Sequence, residues 1–414
     1  MKQIVFSVII AMLSLFLASI SAHALNKPKI ERQFQSWLRS DIWPLAKKQG
    51  VSRKIFNAGF KGLSINWKLP DLRPPGSSKL AAKKYSQAEF KSPGRYLSEK
   101  RLNPLVTLGR ARLKKWHKTL NAIENKYGVP RRIIVAIWAA ESGYGRVKIP
   151  HNTLRVLATA AFMGRRKKLF RTELIAALVI LQQGHVSQAR LKSSWAGALG
   201  QPQFMPSKFL AYAVDFDGDG KRDIWGSVPD TLASIGNFLK QHGWQSGRDW
   251  GFEAKIPNNI SCALEGPEQG KSIAKWVNIG AKRVKNRVFP KTELKRQGFL
   301  LMPAGRKGPA FIATENFYVL KKFNESDLYA LFIGHLADRY GANKPFVASW
   351  SKLGGFSKRD VQAMQVRLEK RNVDVGGADG LIGFKTRTAV GTWQSQNNLH
   401  PTCFPDAALI RRIR

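Results

Sequence analysis

Cysteine is nearly absent from this sequence of 414 residues, with Cys262 and Cys403 the only two. They are too few and too far apart for a CxxC zinc site or a disulfide scaffold. Two separate buried thiols are the expected state, with a Cys262–Cys403 bridge as the alternative. Acidic residues are scarce as well: 27 Asp and Glu face 69 Lys and Arg, a formal charge of +42. Such a surplus concentrates polyanions, whether nucleic acid, anionic lipid headgroups or acidic wall polymers, and charge alone does not choose among them. The seven histidines show no zinc-type pairing. The apolar run over residues 4–17 falls short of the ~20 residues that span a bilayer. What is present is 43% hydrophobic residues, enough for a sizeable core and, at roughly 150 residues each, two or three domains. Intrinsic disorder is excluded on that ground.

Lys2 precedes the apolar run, and Ala22-His23-Ala24 supplies a small-x-small cleavage pattern. Residues 1–24 therefore read as a signal peptide removed after Ala24, an uncleaved anchor being the alternative. No Cys lies at the cleavage region, so lipid attachment is not expected and the mature chain reads as exported, periplasmic and soluble. Export makes nucleic acid the wrong polyanion and points to envelope polymers and an anionic envelope surface.

Residues 28–75 mix helical apolar spacing (Phe34, Trp37, Leu38, Ile42) with proline punctuation, which predicts a helical pair leading into a loop. From 102 to 240 long helical patterns dominate, among them Leu113-Trp116-Leu120-Ile123 and Leu174-Ala177-Leu178-Leu181. Residues 250–320 read as β-rich, with alternation at 252–257 and Gly-Pro punctuation at 266–267 and 308–309. The fold class is mainly α (α+β). After a composition break at 351–355, Ser357-x-x-Asp360 has the form of a capping box ahead of Val361, Met364 and Leu368. A glycine-rich turn at 376–380 and a second helix with Ala389 and Trp393 follow, so residues 356–414 predict a small bundle of two helices and a tail.

The stretch from Tyr127 to Gly145 places one acid on an apolar helix. Pro130 reads as the first helical residue and Gly143 as the stop, so Glu141 lies in the last turn. Ile134, Ile137 and Trp138 precede it by seven, four and three, hence the carboxyl shares their face. Burial against Trp138 and the negative end of the helix dipole both favour the protonated form. A carboxyl kept protonated near neutral pH suits a general acid for glycosidic-bond cleavage. A structural Glu paired with one of the many arginines is the alternative. The stretch from Ser193 to Ser207 interleaves amides and hydroxyls with aromatics and ends in a proline-stopped turn. It fits sugar binding or, taken alone, a tight helix-helix contact.

Asp215, Asp217, Asp219 and Asp223 put four carboxylates within nine residues. The 1, 3, 5 spacing with Gly220 at position six is that of a calcium loop, Lys221 standing at the backbone-ligand position. Gly226 occupies position twelve, so Asp223 at position nine is expected to complete the set. Structural calcium is expected and no organic cofactor. A turn neutralised by Lys221 and Arg222 is the alternative.

Taken together these residues resemble the lytic murein transglycosylases of the B type, with a lysozyme-like catalytic domain and a C-terminal peptidoglycan-binding module. The resemblance rests on 136–145 around Glu141, on 195–207, on the Asp loop ending Asp223-Ile224-Trp225, on 301–305 with 308–311, and on 324–330. In the terminal module, 365–368, 379–383 and 386–390 carry it. It implies a transglycosylase domain over 25–350, with Glu141 as the single acid/base on the β-1,4 bond between N-acetylmuramic acid and N-acetylglucosamine of peptidoglycan strands. The muramyl 6-hydroxyl would close a 1,6-anhydro end without water. It also implies that Ser194, Gln203, Asn324 and Tyr329, together with Tyr144, line the cleft. Arg165 and Arg166 would meet peptide or lactyl carboxylates, a solvated basic run being the other reading. Phe323 stands where the family has Tyr, Pro202 where it has Thr, and Thr402-Cys403 where the module has Asp-Gly. Two other readings are a hydrolytic muramidase with Glu173 as second carboxylate, and a non-catalytic wall-binding scaffold. The partners of any cell-wall complex are not indicated.

Overall fold

The computed structural model describes residues 25–75 and 92–413, and the signal peptide expected over 1–24 lies outside them. Contacts divide the chain into two compact units. Among the described residues the first holds 25–75, 151–184 and 195–197. Its N-terminal stretch is more than the predicted pair: Lys27–Trp37 continues through a π-helical turn, Leu38–Ile42, into Trp43–Lys48, and Arg53–Phe60 follows. Asn26 and Ser52 cap two of these helices by accepting from Lys29 N and Ile55 N at 3.0 and 3.3 Å. Phe34 sits edge-on to Phe162 of Thr153–Met163, ring centroids 5.4 Å apart. Gly59 permits a close approach, since a Cβ there would meet Leu154 Cδ1 at 2.8 Å.

The second unit holds the remaining described residues. The apolar stripe through Leu113 and Ile123 forms two helices, Glu99–Lys115 and His117–Tyr127, because Trp116 (φ −104°) closes the first on Arg112 O. Arg131–Ser142 is the central helix, buried from Ile133 to Ala139, and packs against Glu99–Lys115, Val228–Gln241 and Asp327–Gly341. Its first residue is Arg131, Pro130 serving as the cap, and Gly143 ends it in the left-handed conformation at φ 55°.

The expected β-rich part is an antiparallel sheet of five strands, ordered Lys271–Ser272, Gln297–Leu301, Ala310–Ala313, Gly251–Lys255, Lys282–Arg283. Ile312 pairs with Phe252 on one side and Leu300 on the other, and all three enter a core shared with Ile260, Ile273, Trp276 and Met302. Helices Ile273–Asn278 and Glu315–Phe323 interrupt the β character.

The capping box forms as read, Ser357 and Asp360 satisfying each other's backbone N–H at the start of Lys358–Glu369. Phe384–Gln396 is the second helix. The expected tail is itself a helix, Ala407–Arg412, capped by Asp406 accepting from Leu409 N at 2.9 Å. Six residues are too few for apolar periodicity to declare it. The cysteine expectation is also corrected: Cys262 and Cys403 form a disulfide. Both are fully buried in the core of the sheet, where folding joins residues 141 positions apart.

Candidate active site

Glu141 is half-buried in the last turn of Arg131–Ser142. Tyr329, in the first turn of Asp327–Gly341, donates its hydroxyl to Glu141 Oε1 at 2.5 Å. Tyr329 N donates in turn to Ser326 Oγ, and Ser326 N to Asn324 Oδ1 at 3.0 Å. Asn324 and Tyr329 are thus carried on one capped segment that faces the acid. Phe323 packs its ring on Phe238 and Phe204, centroids 4.8 and 5.7 Å apart, and presents an apolar edge beside Asn324.

Beneath the acid, Trp138 is 2% exposed and its Nε1 donates to Gln201 Oε1 at 2.8 Å. Gln201 also donates to Trp225 O at 3.2 Å, tying the acid helix to the loop that follows Ser193. Tyr144, expected in the cleft, is 3% exposed. Its hydroxyl donates to Leu105 O at 2.5 Å and lies 3.0 Å from the Tyr340 hydroxyl, while its ring stands edge-on to Trp138. Burial pushes its phenol up to about 12. Its polar atom is therefore engaged inside the protein, behind Trp138.

The Ser193–Ser207 stretch forms a compact loop rather than a helix-helix contact. Leu199 bridges both Ser193 and Phe204. Ser194 donates its N–H to Ala198 O at 2.8 Å and accepts from Ala198 N through Oγ at 3.1 Å. Gly200 (φ 59°) lies so close to Ile224 that a Cβ would meet its carbonyl oxygen at 2.5 Å. Gln203 is held at φ 53°, with Nε2 donating to Gly200 O at 2.8 Å. A left-handed conformation at a residue other than glycine costs about 1–3 kcal/mol and persists where the surroundings impose it. Pro206 opens the helix Pro206–Tyr212 instead of closing a turn, as proline does at a first helical position.

In the Asp loop, Asp215 accepts from Gly218 N and Gly220 N at 2.7 and 2.8 Å, which curls the loop around its carboxylate. One oxygen each of Asp215, Asp217 and Asp230 lie within 4.8 Å of one another. Three carboxylates converging on one point suit a hard cation such as calcium. Asp223, expected to complete the set, instead pairs with Arg190 at 2.7 Å and caps Trp225 N and Gly226 N. Asp219 accepts from Lys221 N at 2.8 Å. Asp230 is fully buried on Val228–Gln241 and accepts from Phe216, Asp217 and Asp223 N–H groups. Burial raises its pKa, and the neighbouring Asp217 charge adds to this against those hydrogen bonds.

Arg165 and Arg166 belong to the first unit, where with Arg73, Lys167 and Lys168 they line a basic cavity of about 610 Å³. Glu173, nominated as a second carboxylate, is in the same unit and 5% exposed.

A transglycosylase SLT domain profile matches residues 33–338, about three quarters of the chain. The chain belongs to the transglycosylase SLT family. A peptidoglycan-binding domain profile matches residues 357–413. Membrane-bound lytic murein transglycosylase B of Escherichia coli (strain K12) is 33% identical over 230 residues, 53% of this chain. The match spans 60% of that relative's length, less than two thirds. SltB3 from Pseudomonas aeruginosa, solved in complex with NAG-anhNAM-pentapeptide, is 35% identical with a TM-score of 0.80, over 92% of this chain and 99% of its own. Escherichia coli Slt35, solved in complex with calcium, is 29% identical with a TM-score of 0.53, over 62% of this chain and 80% of its own.

Within this SLT domain two residues escaped the sequence reading. Gln201 stands before Pro202 in a loop of small residues, a position that marks a packed amide but does not name Trp138 as its partner. Asp230 lies outside a twelve-residue calcium loop. Its placement three residues after Ser227, opening a helix, reads as a capping position, and Ser227 Oγ does accept from Asp230 N at 3.2 Å.

Proposed function

We propose that this chain is a peptidoglycan lytic transglycosylase in which Glu141 acts first as general acid and then as general base. The observation that carries the reading is the Tyr329–Glu141 hydrogen bond, which aims a half-buried carboxyl at the end of an apolar helix. Family membership and the anhydromuramyl ligand in the SltB3 relative support the same chemistry. Glu141 gives its proton to the glycosidic oxygen as the bond from the muramyl C1 breaks, and the substrate's acetamido group stabilises the cationic centre. The resulting carboxylate takes the proton of the muramyl 6-hydroxyl while that oxygen bonds to C1. The products are a free 4-hydroxyl and a 1,6-anhydro end, and no water is consumed. Water exclusion and positioning supply the advantage over hydrolysis.

Asn324, Ser194 and Gln203 hold the sugar's polar groups, Tyr329 orients the acid, and Tyr144 supports Trp138 beneath it. Arg165 and Arg166 offer cationic contacts to stem-peptide or lactyl carboxylates. Asp215, Asp217 and Asp230, with the Lys221 carbonyl, would hold a structural calcium, a reading supported by the convergence of the three carboxylates and by a relative, Slt35, solved in complex with calcium. The chain acts after export, in the periplasm, on an anionic wall that its positive charge draws it toward, while the terminal module raises local substrate concentration.

The test is digestion of purified peptidoglycan by the mature chain and by Glu141→Gln, with muramic ends read by mass. Anhydro ends from the first, and a loss of roughly 100-fold or more in the variant, are expected. Reducing ends would replace the reading by a hydrolytic muramidase, and binding without cleavage by either protein would replace it by a wall-binding scaffold.

A further inference from the structure

Arg387 joins the terminal module to the first residue of the helix that carries Tyr329. Arg387, on Phe384–Gln396, is 2% exposed and surrounded by acceptors. Its Nε and Nη2 donate to the two oxygens of Glu265 at 2.8 and 2.7 Å, and its Nη1 donates to Ile382 O at 3.0 Å. Nη2 donates also to Asp327 Oδ2 at 2.8 Å. Glu265 is anchored to the sheet, accepting from Met302 N at 2.8 Å. Asp327 is the first residue of Asp327–Gly341, two positions before the tyrosine that holds Glu141, and its other oxygen takes Lys321 Nζ at 2.6 Å. Burial alone would raise the Asp327 carboxyl, but the Arg387 and Lys321 charges outweigh it and hold it below the usual range. A planar guanidinium serves both carboxylates at once, which an ammonium at the same place does not.

We infer that Arg387 of the terminal module is a positioning residue for the transglycosylase reaction, acting through Asp327 to fix Tyr329 against Glu141. The inference rests on the proposed function and adds to it: the module completes the geometry of the acid as well as binding wall. Turnover therefore depends on the Arg387–Asp327 pair even on a short soluble glycan fragment, where affinity for polymer is irrelevant.

The experiment uses the full chain and a soluble peptidoglycan fragment, with kcat and KM measured separately. Arg387→Lys keeps the charge and loses the fork. Asp327→Asn leaves the Arg387–Glu265 pair intact, so the module stays docked should the arginine variant fail to fold. Each is expected to lower kcat roughly 10- to 100-fold with KM within about threefold. Adding Asp327→Asn to Tyr329→Phe is expected to cost less than about twofold more, because both changes release the same hydrogen bond. A kcat for Asp327→Asn equal to the parent's, or losses that multiply in the double variant, would overturn the inference while the parent's anhydro products still upheld the proposed function. No cleavage by the parent chain would remove both.

Discussion

Tyr144 and Gln203 are both held at positive φ, 63° and 53°, in stretches that the sequence marks as cleft. They differ in what their side chains do. Gln203 bonds its own loop at Gly200, whereas Tyr144 turns its hydroxyl to Leu105 and Tyr340. A substrate contact and a supporting contact have different signatures. Tyr144→Phe removes the hydroxyl that bonds Leu105 O and Tyr340, and losing a hydrogen bond of this kind costs about 0.5–1.5 kcal/mol. The expected outcome is a lower midpoint in urea unfolding with KM unchanged. A raised KM with the midpoint unmoved would return Tyr144 to the substrate. Residue identity made Glu141 legible, because three apolar neighbours at helical spacing fix its face. The direction of the Tyr144 hydroxyl was not legible, since it depends on Leu105 and Tyr340 from other helices.

On helix Asp327–Gly341, the pKa values of Asp338 and His335 are shifted in opposite directions. Partial desolvation by the surrounding side chains pushes the Asp338 carboxyl up to about 7 against the hydrogen bond from Trp250 Nε1 at 3.0 Å, although the residue itself is exposed. Between about pH 4, where an unfolded Asp titrates, and about 7 the folded chain binds the extra proton, so this group's stabilisation falls as pH rises. Burial pushes His335 down to about 3, so its share is present above about 6.5 and is lost as pH falls toward 3. Asp338→Asn retains an acceptor for Trp250 and removes the first effect alone. The variant is expected to gain on the parent as pH rises from about 4 to about 7, by no more than about 1 kcal/mol in urea unfolding, because Asp338 is reached by solvent that screens its charge. An equal difference at both ends of the range would exclude Asp338 as the cause.

The Asp loop gives the companion case at the same scale. Asp215, Asp217 and Asp230 converge while Asp223 serves Arg190, so calcium is expected to raise the melting temperature of the parent and of Asp223→Asn. In Asp230→Asn that calcium-dependent rise should disappear, as read by thermal scans with calcium and with chelator. A rise lost in Asp223→Asn and kept in Asp230→Asn would restore the ligand set read from loop spacing. Spacing announced the loop because Asp and Gly at fixed offsets are a local code. It did not announce Asp230, whose oxygen arrives from a helix that begins beyond the loop.

At the scale of the whole molecule, local codes explain the pieces and long-range pairing explains how the terminal module is held. The break at 351–355, the capping box at Ser357 and the helix after it are readable because each depends on residues a few positions apart. The attachment is not, since it joins Cys403 to Cys262, Arg387 to Glu265, and Thr402 O to Arg306 N at 2.9 Å. The disulfide closes a separation of 141 residues and lies in the same apolar core as Trp276 and Ile312. Cross-linking so long a loop restricts the unfolded chain, and removing such a bond costs about 2–5 kcal/mol. Cys262→Ala with Cys403→Ala is therefore expected to lower unfolding stability by that amount. Its kcat on a soluble fragment should stay within about twofold of the parent's, because Arg387 still bridges Glu265 and Asp327. A kcat loss as large as that of Arg387→Lys would place the burden of holding the acid on the disulfide. Unchanged stability, with both thiols of the parent open to alkylation once the chain is unfolded without reductant, would exclude the bond itself.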